Sequence, residues 1–530
     1  MARFSSFLAL LAATVTPAAR ADPYNTFDGP GFPACNEVAA VYHPTTIDEM
    51  AALVKNASDN DVPVRASGKG HMWYDRDRTA ESTPDTMCTD DPNTVIIVTE
   101  ALAGFSNFTA PDESGVGSVT IEAGVTFFEL ADYLHERNTS IGYSLVNWNI
   151  TVAGALAMGA HRSALSQPAD VAGAAAAIDL LLANGTFVHL SEAEHGDTDD
   201  WRAATTSLGL LGIIARVTVK IFPEFKLAAD QKILDEKDVL EGDIYGMINP
   251  YPTANFWWWP GQKKFHYPHS NTISQRTYEV VPNDASGEGF QSTFSVSEFE
   301  GNTAKTLLEN GANSSLINLS TETLFFSIWS APNFHDKNTD IAALFWPVNG
   351  WSYDSLIGGL YPDTKPEWDY NLRGKTLELA FPVTQANAML QRIRELFDES
   401  EEGGHLMTST YRSGINIKFG QVFDDLLSQT STLPKNTDAD WSKGTIMFDF
   451  PTYLPDSGVR YNEPFYANLA ETLINEFPCR PHWTKNTREI FQKSVKNLDP
   501  DILARFAAVR ERYDPNKTFA SVVGQIIGVV

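Results

Sequence analysis

The chain has 530 residues, with 39 lysines and arginines against 67 aspartates and glutamates, a formal net charge of −28. That balance disfavours nucleic acid, whose phosphates need a basic footprint, and anionic membrane surfaces; it suits an acidic surface that keeps an exported protein soluble. The length exceeds what one core usually fills and predicts two or more domains. Residues 1–21, MARFSSFLALLAATVTPAARA, place one arginine ahead of the apolar run from Phe7 to Val15 and end in a small-x-small site, Ala19-Arg20-Ala21. This predicts a secretory signal peptide, because the run is shorter than the roughly 20 apolar residues of a span. No later stretch reaches that length, so the expectation is a secreted protein with no membrane span.

Eight Asn-x-Ser/Thr sequons, at Asn56, Asn107, Asn138, Asn149, Asn184, Asn313, Asn318 and Asn516, fit an exported, N-glycosylated chain. Three cysteines allow one bridge, for which Cys35–Cys88 is the expectation, with Cys479 buried. No Cys/His cluster suggests a metal site. Along the chain, 44–60 reads as an amphipathic helix capped by Thr45 or Thr46, with Ile47, Met50, Leu53 and Val54 on one face. Val62–Val64 reads as a short strand entering the turn Ser67-Gly68-Lys69-Gly70-His71. Thr94–Thr99 and Ser118–Ala123 follow as strands, the latter leading into a helix through Leu134. Val171–Leu182, the turn Asn184-Gly185 and Thr186–Leu190 read as strand, turn and strand, and Leu210–Phe222 as a strand opened by glycines. The first 222 residues are therefore α+β. Residues 225–475 alternate strand-like runs with charged helices such as 386–400. Aromatics cluster there, and the tryptophans 257–259 suit a core better than a sugar platform. A last helix runs from Pro500 to Arg512.

Four segments carry chemistry. In the first, Gly68 and Gly70 permit positive φ and close approach of amides to phosphate, with Arg65 either assisting or purely structural. The second, ITVAGALAMGAHR (150–162), spaces Gly154 and Gly159 among small residues but is neither a phosphate loop nor a dinucleotide fingerprint. The third is SLGLLGII (207–214), and the fourth is RPHWTK (480–485).

In this order and spacing these segments resemble one family, the FAD-dependent oxidoreductases of vanillyl-alcohol-oxidase type with a PCMH-type FAD-binding domain. Within it the chain looks most like the sugar-lactone (aldonolactone) oxidases. The matching pieces are the helix 44–60, VRASGKGH, IEAGVTFFELADYL, TVAGALAMGAH, SLGLLGII, LELAFP (377–382), RPHWTK and FAAVRERYDPNKTF. The likeness is strong over 40–222 and 478–520 and loose over 225–475. It implies an FAD domain from 22–222 with the C-terminal segment 478–530 returning to it. A substrate (cap) domain, 223–477, would be built on a large antiparallel sheet.

The resemblance further implies that Ser67, Gly68, Lys69, Gly70, Gly154, Gly159 and His161 line the FAD, and that Gly212, Ile213 and Ile214 hold its adenine end. A histidine at the place of His71 often bonds covalently to the flavin, which would retain and tune the cofactor; a hydrogen-bonded histidine beside non-covalent FAD stays open. No cysteine in 144–163 offers a second link. Glu378, His482, Lys485 and Arg412 are the implied substrate-side groups, with a solvent-face glutamate as the rival for Glu378. His266, His269 and His405 read as surface or core histidines. The implied reaction oxidises a secondary alcohol of a sugar lactone or related polyol, passing hydride to flavin N5 and then electrons to O2, giving H2O2. Alternatives are an alditol or carbohydrate oxidase, a tailoring oxidoreductase on the same scaffold, and a non-enzymatic secreted protein with a vestigial flavin site.

Overall fold

The computed structural model describes residues 38–70, 86–142, 150–166, 170–260, 271–287, 345–355, 373–402, 414–431, 439–454 and 463–530. Short pieces at 24–25, 33–35, 290–292 and 334–336 and scattered helical residues between 303 and 327 complete the description.

The chain opens with a parallel three-stranded sheet in the order Ala40–Tyr42, Val95–Val98, Val64–Ser67. The helix Ile47–Asp59 begins where Thr46 Oγ1 accepts the Glu49 N–H at 3.1 Å. Its buried face, Ile47, Met50, Val54 and Ala57, has helical spacing and joins the small core of that sheet. Cys35 and Cys88 are disulfide-bonded and Cys479 is a buried free thiol.

A second, antiparallel sheet follows in the order Phe187–Ser191, Ala175–Leu181, Ile213–Pro223, Gly117–Glu122, Phe105–Thr109. The helix Phe127–His135 starts from a complete capping box, Thr126 with Glu129. Two expected strands are shorter than read. Val171–Ala174 is a 3-10 turn, since Val-Ala-Gly-Ala has only one β-branched residue to favour extension, and the strand starts at Ala175. The strand expected from Leu210 starts at Ile213, because Gly209 (φ +63°) and Gly212 (φ +155°) turn the chain before it.

The largest sheet is antiparallel and eight-stranded: Val348–Trp351, Lys226–Asp235, Thr272–Val281, Thr253–Trp259, Ile415–Gly420, Thr445–Leu454, Arg373–Pro382, Arg480–Pro481. Its two faces divide by the strand period of two. Leu377, Leu379, Ile417, Phe419, Phe448 and Phe450 point one way, into a core closed by the helices Ala386–Glu402 and Glu463–Glu476. Thr376, Glu378, Asn416, Lys418 and Asp449 are the alternate residues on the same strands and share the other face. The tryptophan run lies in the strand Thr253–Trp259; Trp258 belongs to the core, and Trp257 and Trp259 stack on each other.

The C-terminal residues serve both bodies. Arg480–Pro481 adds the edge strand of the large sheet, while Phe506, Val509, Val523 and Ile527 enter the core of the antiparallel sheet near the N-terminus. Replacing Phe506 with alanine should cost about 3–5 kcal/mol. Denaturant unfolding of the purified variant would measure it, and a loss under 1 kcal/mol would show the C-terminal helix to be dispensable.

Candidate functional site

Three glycine-bearing segments, far apart in sequence, meet in space. Gly68 faces Thr151 so closely that a Cβ there would lie 2.2 Å from Thr151 Oγ1. Thr151 caps the short helix Val152–Ala157 by accepting the Gly154 N–H, and a Cβ on Gly154 would lie 2.7 Å from the same oxygen. Gly159, at φ +62°, rests against Thr206, the residue just before the third segment. Gly70 also has positive φ, +68°. Backbone bare of Cβ atoms at these turns can bring its amide dipoles close to a pyrophosphate, which a side chain would prevent. The residues present therefore fit FAD, held by the segments 67–70 and 151–161.

Arg65 is a correction. It is buried, and its five N–H groups go to five backbone carbonyls: Met87 (2.7 Å), Thr86 (2.8 Å), Leu208 (2.8 Å), Gly209 (2.8 Å) and Phe519 (2.5 Å). No donor is left for a phosphate. Burial lowers its pKa to about 10, opposed by Asp514. Arg65 therefore fastens the first glycine turn to the third and to the C-terminal segment. Gly212, Ile213 and Ile214 are also spent on structure. A Cβ on Gly212 would strike the Leu181 carbonyl at 2.5 Å, and Ile213 and Ile214 pair with Leu181 and Leu180 while their side chains fill two cores. Lys69 pairs with Glu100 at 3.3 Å, and Ser67 is buried at the end of its strand. His71 and Arg412, and also His266, His269 and His405, lie outside the described residues.

The polar face of the large sheet carries a buried ionic cluster. Glu378 and Asp449 sit opposite each other in register. Lys485 Nζ bridges them at 2.6 Å to Glu378 Oε2 and 2.7 Å to Asp449 Oδ2. Lys418 Nζ bridges the same oxygens at 2.9 and 3.3 Å. The Thr376 hydroxyl donates to Asp449 Oδ1. From the second glycine segment, His161 places Nε2 2.8 Å from Glu378 Oε1 and Nδ1 3.0 Å from the Arg162 carbonyl. Glu378 has no exposed side-chain surface and His161 only 1%. The backbone is pinned as firmly: Asn486 accepts the Glu378 N–H at 3.1 Å and donates to the Glu378 and His482 carbonyls at 2.8 Å each, and the His482 N–H donates to the Glu378 carbonyl at 3.0 Å. The rival reading of Glu378 as a solvent-face residue is thereby excluded.

Burial alone would raise the Glu378 carboxyl, but Lys418, Lys485, His482 and His161 outweigh it and hold it well below the usual carboxylate range. Lys485 is raised, burial being overcome by Asp449 and Glu378. His482 is pushed well below its ordinary value, by burial first, against the pull of Glu378. Its Nδ1 accepts the Thr484 N–H at 3.2 Å, so the proton of the neutral ring is on Nε2.

Lys418 and Asp449 escaped the sequence reading. Their signal was present: INIKFG and MFDFP each set one charge at an alternate position of an otherwise apolar strand, where an unpaired charge is prohibitively costly.

The comparisons with known proteins follow this division. An FAD binding domain model matches residues 38–191, and a D-arabinono-1,4-lactone oxidase model matches 368–525. The chain thus carries a stretch similar to FAD binding domains and one similar to lactone oxidases, on a fold of the vanillyl-alcohol-oxidase type. It is 25% identical over 515 residues to L-gulonolactone oxidase 5 of Arabidopsis thaliana, covering 93% of this chain and 81% of that one. L-gulonolactone oxidase 2 of the same plant is 24% identical over 518 residues, covering 93% and 80%. The fold matches cholesterol oxidase from Brevibacterium sterolicum with a TM-score of 0.70 at 14% identity, covering 97% of this chain and 99% of that one. By these matches the chain is similar to flavoprotein oxidoreductases of the aldonolactone-oxidase group.

Two outcomes test the site. Gly68→Ala should lose bound flavin, and Gly68→Ala with Thr151→Ala should recover much of it, since the second change removes the colliding atoms at the cost of a helix cap, about 1 kcal/mol. Flavin absorbance per protein reads both; equal flavin in wild type and Gly68→Ala would place the cofactor elsewhere. For His482 the native ring stays neutral while the unfolded ring takes a proton below about pH 6.5. Its folded pKa is depressed, so its contribution is present above pH 6.5 and is lost as pH falls, by up to about 1.4 kcal/mol per pH unit. Unfolding free energies between pH 7 and 5 should fall less steeply in His482→Phe than in wild type; parallel slopes would refute the assignment.

Proposed function

We infer that the protein is an exported flavoprotein oxidase that oxidises a secondary alcohol of a sugar lactone or related polyol and releases H2O2. The observation that carries this reading is the buried Glu378–Lys485–Asp449–Lys418 cluster on the substrate sheet, joined by His161 to the cofactor-holding glycine turn. A family model of lactone oxidases across 368–525 supports the substrate class. The signal-peptide pattern and the sequons support export and N-glycosylation, and the oxygen acceptor suits that setting.

FAD, when bound, supplies the hydride acceptor at N5 and passes the electrons to O2. Oxidising the alcohol also requires a group to take the hydroxyl proton, and Glu378 has that role. It is kept ionised by two ammonium groups. A substrate oxygen that draws hydrogen bonds from Lys485 or Lys418 weakens their hold on Glu378 and returns its basicity just where the hydroxyl lies. His482, whose Nδ1 accepts the Thr484 N–H, carries its proton on Nε2 and offers a donor there. Asp449 keeps both lysines in place, and the closed core beneath the sheet excludes water from behind. His71, directly after Gly70, is the residue proposed to bond the flavin covalently. Both family models leave residues 192–367 unmatched, so an alditol or another polyol remains the second substrate reading.

The test is purification of the secreted protein, acid precipitation, and a peroxide assay over a panel of aldonolactones and alditols. The wild-type pellet should be yellow and the His71→Ala pellet colourless. Glu378→Gln should retain flavin and lose about 10²–10⁴ in kcat. A protein without flavin, or with flavin but inert to every lactone and polyol, would refute the reading.

A further inference from the structure

We propose that His161 carries a proton on each ring nitrogen, so that it is an imidazolium and acts as a positioning residue through Glu378, giving the site one net positive charge. The argument rests on two contacts. The Arg162 carbonyl, 3.0 Å from Nδ1, can only accept, so Nδ1 bears a hydrogen. A ring with one proton would then present a bare lone pair at Nε2, and Nε2 lies 2.8 Å from Glu378 Oε1. Two lone pairs do not approach that closely without a hydrogen between them. The other oxygen of Glu378 already receives two ammonium groups, at 2.6 and 2.9 Å, an arrangement that demands a carboxylate. The shared hydrogen therefore belongs to the histidine.

The His161–Glu378 contact has the length of a hydrogen bond. His161, Glu378 and His482 do present donor atoms within 4.8 Å of one another. An ion held tetrahedrally at about 2 Å from a histidine nitrogen and a carboxylate oxygen would set those two donors about 3.3 Å apart, whereas 2.8 Å is a hydrogen-bond distance. The lone pair of His482 is also engaged by the Thr484 N–H.

Among the described residues, the groups facing the pair are Lys418, Lys485, Asp449 and His482. With His482 neutral, the cations Lys418, Lys485 and His161 outnumber the anions Glu378 and Asp449 by three to two. This excess charge is buried, so solvent screens it little. It lies two residues past Gly159, where it favours negative charge on a substrate oxygen and on a reduced cofactor. That consequence rests on the FAD reading above; the proton count does not.

Neutron diffraction from deuterium-exchanged crystals of the holoenzyme would decide it. Deuterium is expected on Nδ1 and Nε2 of His161 and none on Glu378 Oε1; deuterium on Oε1, or a bare Nε2, would overturn the proposal. His161→Gln keeps an N–H toward Glu378 without the charge. At full flavin content its flavin midpoint potential should fall by at least about 30 mV, a tenfold weaker relative hold on the two-electron-reduced form; an unchanged potential would remove the charge role. If that variant fails to fold, the neutron map on wild type still answers. If the protein holds no flavin, the functional reading fails, while the proton count is still read from the map.

Discussion

A carboxylate with no exposed surface is the constraint around which the site is organised. Glu378 lies in the middle of a strand, between leucines that fill the core. Taking such a charge out of water costs several kcal/mol, and only cations with good geometry offset it. Two lysines, a histidine from another sheet's territory and a backbone clamp by Asn486 all converge on this one residue. The convergence explains why segments 161, 378–418, 449 and 482–486, distant in sequence, hold fixed positions: His161, Lys418 and Lys485 satisfy the charge, Asp449 holds the two lysines, and Asn486 fixes the backbone.

The cofactor side has a matching centre in Arg65. A guanidinium has five donors in a rigid fork, and here each one finds a carbonyl. Those carbonyls belong to three separate segments, 86–87, 208–209 and 519. The bare glycine turns could not hold their shape alone, because glycine loses the most conformational entropy on ordering. The arginine supplies the order without occupying the space the cofactor needs. A residue that looks from its place in the sequence like a phosphate ligand thus does its work behind the phosphate seat.

This contrast marks what sequence reasoning can reach. Local chemistry was legible: Thr46 as one of two candidate helix caps, the positive φ of Gly70 though not of Gly68, and the apolar face of Ile47–Asp59 follow from nearby residues, while Cys35–Cys88 is one of the three pairings that counting allows. Glu378, His482 and Lys485 were legible through resemblance. Lys418 and Asp449 were not, because their importance lies in strand order: Ile415–Gly420 and Thr445–Leu454 become neighbours of Arg373–Pro382 only once the sheet forms. The role of Arg65 was misread for the same reason, since three of the five carbonyls that claim it, on Leu208, Gly209 and Phe519, lie over a hundred residues away.

The two-faced sheet also separates what can vary from what cannot. On Arg373–Pro382, Ile415–Gly420 and Thr445–Leu454, odd and even positions serve different masters, one set the hydrophobic core and the other the ionic cluster. A register slip of one residue would bury Glu378 and Asp449 among phenylalanines and turn the core outward, so the register is fixed by both faces at once. Among its described residues the stretch 192–367 bears no part of the cluster, and neither family model reaches it. Substitutions there can reshape what the site admits while the charges that act on a hydroxyl remain in place. One reaction with varied substrates is what this division of labour permits, and it fits a chain whose residues 38–191 and 368–525 match family models while the residues between them match neither model.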